Sequence, residues 1–163
     1  MSGGGMRDAE GPTDGGAVAL KLTGMSSAEE LKREKARLND AGLQPSFDAA
    51  YRMTFSAKIA QRNYPDALKL AEQIIAAHPD FAPAYRVLGY AKFNTADPSG
   101  AVEAYRKAVQ IDPNYGEAEY ALAFMYAMSD QTEGLIHYKR SMELGVKDER
   151  NIGVQFYGLP KTN

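Results

Sequence analysis

The breaks in this chain recur at a fixed distance, and that limits what it can fold into. His78-Pro79-Asp80-Phe81 and Asp112-Pro113-Asn114-Tyr115 are the same punctuation set 34 residues apart. The offset persists inside the segments that the breaks enclose, where Tyr51 and Tyr85, Ala67 and Ala101, Leu88 and Leu122, and Gly89 and Ala123 all keep it. A unit this short cannot bury its apolar face alone. It must stack on neighbours of its own kind, and about three stacked units make the smallest stable array.

Further breaks near Asn63-Tyr64-Pro65, Ala96-Asp97-Pro98, Ser129-Asp130 and Gly145 divide residues 47 onward into six helices of roughly 12–16 residues. Ala, Glu, Lys, Leu and Met outnumber β-branched residues there, which disfavours strands. Three repeats result, 48–81, 82–115 and 116–147. Asp148 then reads as the N-cap of a capping helix to about Tyr157, within a C-terminal segment 148–163. Residues 1–25 hold seven of the fifteen glycines without periodicity and read as a disordered tail. Residues 26–47 read as a helix and linker. Ser26 or Ser27 stands three residues before Glu29 or Glu30 in capping-box spacing, and Gly42 is the expected stop.

The 34-residue helix–turn–helix period resembles the tetratricopeptide repeat family. Residues 82–115 fit its pattern best, with Tyr85, Leu88-Gly89, Ala101, Tyr105, Ala108 and Pro113; Lys92 stands where an aromatic is expected. The first repeat has Thr54-Phe55 in place of Leu-Gly and Ala71 in place of the second helix's aromatic. The third keeps Leu122-Ala123, Tyr126 and Tyr138, but Tyr105 to Tyr138 is 33, so one residue is lost inside that repeat. The resemblance implies an all-α, right-handed solenoid of about three such repeats with capping helices at both ends. It also implies a module that binds a peptide or partner protein in a concave groove.

Composition excludes some functions and leaves others unsupported. There is no cysteine, hence no disulfide, thiolate metal site or cysteine nucleophile. A net charge of −2 argues against nucleic acid, so RNA binding ranks third among the readings. No apolar run reaches membrane-span or signal-peptide length, which makes a cytoplasmic location the default expectation and membrane insertion unexpected. His78 and His137 read as solvated bystanders, and no nucleophile–base pair, metal set or cofactor fingerprint is present, so the chain reads as non-enzymatic.

The candidate working surface is a stripe on the first helix of each repeat. Arg86, Tyr90 and Phe93 lie at i, i+4, i+7, apart from the packing stripe of Tyr85, Leu88 and Gly89. One repeat back stand Arg52 and Ser56; one forward, Tyr120 and Phe124. These seven are the expected partner-binding residues. In the family resembled, such positions line the groove. The Lys and Asn of its carboxylate-clamp subgroup are absent here, so the residues suit a ligand with an acidic group and apolar side chains. A neighbouring copy filling the groove, giving a homo-oligomer, is the second reading. Gly134 stands where the family prefers alanine, and its replacement by alanine is expected to stabilise the third repeat.

Overall fold

A computed structural model describes residues 36, 38–55 and 62–161. Among them seven helices can be bounded: α1 (Gln44–Phe55), α2 (Tyr64–Ala77), α3 (Ala82–Asn94), α4 (Pro98–Ile111), α5 (Gly116–Tyr126), α6 (Gln131–Glu143) and α7 (Ile152–Tyr157). There are no strands among the described residues. Each of α1 to α6 packs on the next, and α1 also reaches α3, so the pairs α1–α2, α3–α4 and α5–α6 stack in series. The expected tail and the capping box at Ser26 and Ser27 lie outside the described residues.

The two helices of a pair start by different chemistry. The second helix is capped by a polar side chain: Asn63 accepts from the Asp66 N–H, Asp97 from Gly100, and Asp130 from Glu133. The first helices α3 and α5 have no side-chain cap, and begin instead at Phe81 and Tyr115. Both rings are fully buried, and in each turn the aromatic's own N–H donates three residues back, to His78 or Asp112. The recurring Pro-x-aromatic break is thus a turn pinned into the core by its aromatic.

Two helix ends close by the Schellman pattern. Gly42, at φ +73°, lets its own N–H reach the Asn39 carbonyl and the Leu43 N–H reach that of Leu38; Gly145, at φ +86°, does the same toward Met142 and Ser141. A third such closure after α3 puts Ala96 at φ +62° with the Asp97 N–H on Lys92, so a side chain occupies a left-handed position there. Asp97 then caps α4 and takes the Lys92 ammonium at 3.2 Å. Lys92, which replaces the expected aromatic, therefore ties its pair together by charge.

Small residues set the helix spacing. A methyl at Gly89 would lie 2.7 Å from the Tyr105 ring, so α3 and α4 can approach this closely only with glycine there. Degenerate positions in the first repeat are absorbed differently. Thr54, in the leucine position, is fully buried and satisfied because its hydroxyl donates to the Ala50 carbonyl at 2.6 Å.

The structure revises several boundaries. α1 begins at Gln44, inside the expected linker, and Leu38, one of the helical residues 38–40 ahead of the Gly42 turn, is buried with Phe47, Ala50 and Phe81. The shortening in the third repeat falls at the end of α5, which has 11 residues where α3 has 13. α7 starts at Ile152 rather than at Asp148, because Asn151, at φ +54°, occupies its N-cap. The Asp148 carboxylate still receives the first N–H groups of that helix, those of Ile152 and Gly153.

Candidate functional site

Five of the seven expected residues surround one cavity. Arg86, Tyr90 and Phe93 from α3, and Tyr120 and Phe124 from α5, line a space of about 440 Å³ between these helices and residues 145–150. Arg52 is exposed and does not line it, and Ser56 lies outside the described residues. The stripe spacing places α3 and α5 side chains on the inner faces of their helices, and the 34-residue repeat brings the two stripes alongside each other.

The aromatics are ordered by contacts with one another. Tyr90 lies 6.1 Å from the Tyr64 ring, while Phe93 meets Phe124 edge-on at 5.9 Å. Phe124 in turn meets Phe156 of α7 at 6.3 Å, and the Arg150 guanidinium lies 5.9 Å above its ring. Phe93 nevertheless stays 41% exposed, so part of this surface is open to a ligand. Arg86, Tyr90, Glu117 and Glu149 are each already engaged with other groups of the protein.

The C-terminal wall of the cavity was invisible in the repeat pattern. It is held by Asp148, whose Oδ1 accepts from the Tyr120 hydroxyl at 2.7 Å and the Ile152 N–H at 2.9 Å. Its Oδ2 accepts from the Tyr138 hydroxyl at 3.0 Å and the Gly153 N–H at 2.9 Å. Burial pushes the Asp148 carboxyl up, but the hydrogen bonds from Tyr120, the Gly153 and Ile152 amides and Tyr138 outweigh it and hold the group below the usual carboxylate range. The same network raises its tyrosines. Burial, then the Asp148 carboxylate, pushes Tyr138 up to about 12 and Tyr120 well above the ordinary value. The Arg150 N–H donates to the Tyr120 hydroxyl at 3.3 Å, which fixes the wall's backbone against α5.

Away from the cavity, His137 is not the solvated residue that its isolation in sequence suggests. Its Nδ1 lies 2.5 Å from Glu119 Oε2 and its Nε2 lies 3.4 Å from Glu133 Oε1. The ring stacks on Tyr126 at 5.6 Å, and the Arg106 guanidinium sits 5.6 Å above that same Tyr126 ring. The Glu133–His137 spacing of four was the available signal; Glu119 is on another helix and gave none. Among the described residues no group of three or more His, Asp or Glu could hold a metal ion.

The tetratricopeptide repeat model matches residues 52–116, which span the end of α1 through the start of α5. Over that stretch the helical pairs are similar to tetratricopeptide repeats. Helical repeats of this kind stack into extended concave binding surfaces, and the match supports a protein–protein interaction module. Human (Homo sapiens) Superkiller complex protein 3 is 23% identical over 131 residues, covering 77% of this chain. Wheat (Triticum aestivum) Hsp70-Hsp90 organizing protein is 32% identical over 89 residues, covering 54% of it. The chain spans only 8% and 15% of these relatives' own lengths.

Two solved structures share the repeat architecture. A point mutant of MamA is 24% identical with a TM-score of 0.54, covering 79% of this chain and 91% of that one. A double mutant of MamA RS-1 is 29% identical with a TM-score of 0.52, covering 85% and 78%. Among the described residues no helix of these repeats is long and apolar enough to cross a membrane.

Proposed function

We propose that the protein captures a short peptide segment of a partner in the cavity between α3, α5 and residues 145–150. The observation that carries this is the cavity itself. It is large enough for one or two side chains, walled by aromatic rings from successive repeats, and edged by charged groups. Aromatic and arginine side chains supply area and directional hydrogen bonds at little conformational cost, which suits them to anchor a ligand. The names of the relatives agree at the level of class, since one is named as an organizer of Hsp70 and Hsp90 and the other as a protein of a complex.

Titrating the labelled full chain with pools of degenerate hexapeptides tests this by NMR. The reading predicts perturbed signals at Tyr90, Phe93, Tyr120 and residues 145–150, abolished together by Tyr90→Ala with Phe93→Ala. Perturbation confined to the outer faces of α2, α4 and α6 would overturn it. Light scattering on the same samples addresses the second reading. A dimer that Tyr90→Ala with Phe93→Ala converts to monomer would mean that a neighbouring copy fills the groove.

A further inference from the structure

The sequence offered Arg52 and Arg86 as the cationic groups of the groove. The structure distributes the charge differently. Arg52 does not reach the cavity, and Arg86, Glu117 and Glu149 line it but are already engaged. Lys147 and Arg150 line it from the opposite wall, both exposed, and neither has an acidic partner among the described residues. Beneath them lies an aromatic floor, with the Arg150 guanidinium already over the Phe124 ring.

What makes this pair more than surface charge is the backbone that carries it. Gly145 closes α6 by its Schellman turn, Asp148 holds the segment through four hydrogen bonds, and the Arg150 N–H is fixed on Tyr120. A backbone held by these hydrogen bonds, carrying cationic side chains that lack an acidic partner, loses less entropy when a ligand docks than a loose loop would. A carboxylate arriving there would meet an ammonium and a guanidinium together, while apolar side chains beside it met Phe93, Tyr120 and Phe124. The glutamates in the same lining disfavour a multiply charged phosphate and leave room for a single carboxylate.

We propose that Lys147 and Arg150 are the specificity-determining residues of this groove, reading the carboxylate of a peptide segment that also carries aromatic or aliphatic side chains. The inference rests on the groove reading above and refines it. It moves the anchor from the repeats to the segment that follows them.

The test is a selection of random hexapeptides with free C-terminal carboxylates on the full chain, with affinities then measured by fluorescence polarisation. Selected peptides are expected to carry Asp, Glu or the free terminus beside Phe, Tyr or Leu. Lys147→Glu with Arg150→Glu is expected to weaken them roughly 10- to 100-fold. Neutralising the peptide's carboxylate should weaken the parent by a similar factor and add little to the double variant, as a thermodynamic cycle requires for a direct contact. Arg52→Ala should change affinity less than about twofold. Melting curves check the fold, and Lys147→Gln with Arg150→Gln replaces the charge reversal if that variant fails to fold.

Peptides that bind the Lys147/Arg150 variants normally yet lose affinity with Tyr90→Ala and Phe93→Ala would overturn this inference and leave the groove reading standing. So would selected peptides whose carboxylate can be neutralised without effect. If no hexapeptide is enriched, or enriched ones ignore Tyr90→Ala and Phe93→Ala, the groove reading fails instead.

Discussion

The first and third repeats are held together by different chemistry. Around α1 and α2 the core is apolar: Leu38, Phe47, Ile74, Phe81 and Val87 are buried together, and Phe47 meets Phe81 edge-on at 5.1 Å. Around α5 and α6 the core is built from tyrosines that converge on a carboxylate. Tyr138 and Tyr120 donate to Asp148, and the Tyr157 hydroxyl donates to the Ala123 carbonyl. Hydrophobic burial is non-directional, so the first repeat accommodates Thr54 and Ala71 in positions that normally carry larger side chains. Hydrogen-bonded networks depend on single atoms, and their satisfied members leave costly orphans when one is removed.

The largest expected effects come from Phe47→Ala and Asp148→Asn, which break the two ends in different ways. Phe47→Ala should cost about 3–5 kcal/mol through the cavity it leaves, by the same amount at every pH in denaturant melts. Asp148→Asn should cost about 1–3 kcal/mol, because a carboxamide nitrogen would meet donors where an oxygen accepted. Its effect should depend on pH. The Asp148 carboxyl is depressed in the folded protein, so its contribution is full above the unfolded value of 3.8 and is lost as pH falls through the lower folded value. The variant's stability curve should therefore be flatter than the parent's below about pH 4. A curve that runs parallel to the parent's would mean that the carboxylate is not the centre of the third repeat.

Tyr138 extends the comparison to alkaline conditions. Its hydroxyl is raised in the folded state, so its stabilisation holds below the unfolded value of 10.0 and drains away as pH climbs toward about 12. Tyr138→Phe should flatten the stability curve above pH 10, and an unchanged slope would separate Tyr138 from the network.

Smaller effects sharpen the contrast. Family preference alone would favour Gly134→Ala, yet a methyl there would overlap the Tyr157 hydroxyl and lie 3.1 Å from the Tyr126 Cβ. A loss of about 1–3 kcal/mol is expected, the opposite sign from the sequence-based expectation. Gain of stability would show that Tyr157 can leave its site freely. Ala96→Gly should stabilise by about 0.5–1 kcal/mol, since the left-handed turn at φ +62° strains any residue with a Cβ. A thermal melt that fails to rise would show the strain to be absorbed.

These cases show what the sequence could and could not reveal. The helices and their pairing were legible because the punctuation of the repeat recurs: the Asn or Asp caps, the prolines at most of the breaks, the buried aromatics at Phe81 and Tyr115. The stripe of Arg86, Tyr90, Phe93, Tyr120 and Phe124 was legible for the same reason, since a fixed offset places equivalent residues side by side. Gly134 was misjudged because its neighbour Tyr157 lies outside the repeat. The Glu119–His137 pair and the wall at 145–150 escaped notice for a related reason. They join residues with no counterpart one period away, and periodicity carries no information about such contacts.

The short helix α7 has a further consequence in time rather than in energy. Six residues cannot sustain a helix alone, because nucleation costs more than so few hydrogen bonds return. It persists through its docking, by Asp148 on its first two amides and by Phe156 and Tyr157 on α5 and α6. The exchange rates of the Ile152 and Gly153 amide hydrogens thus become a clock for the opening of this segment, and need not match the rates in α3 and α4. If that clock runs faster than the rest of the solenoid, the rim of the cavity breathes while the repeats behind it stay shut.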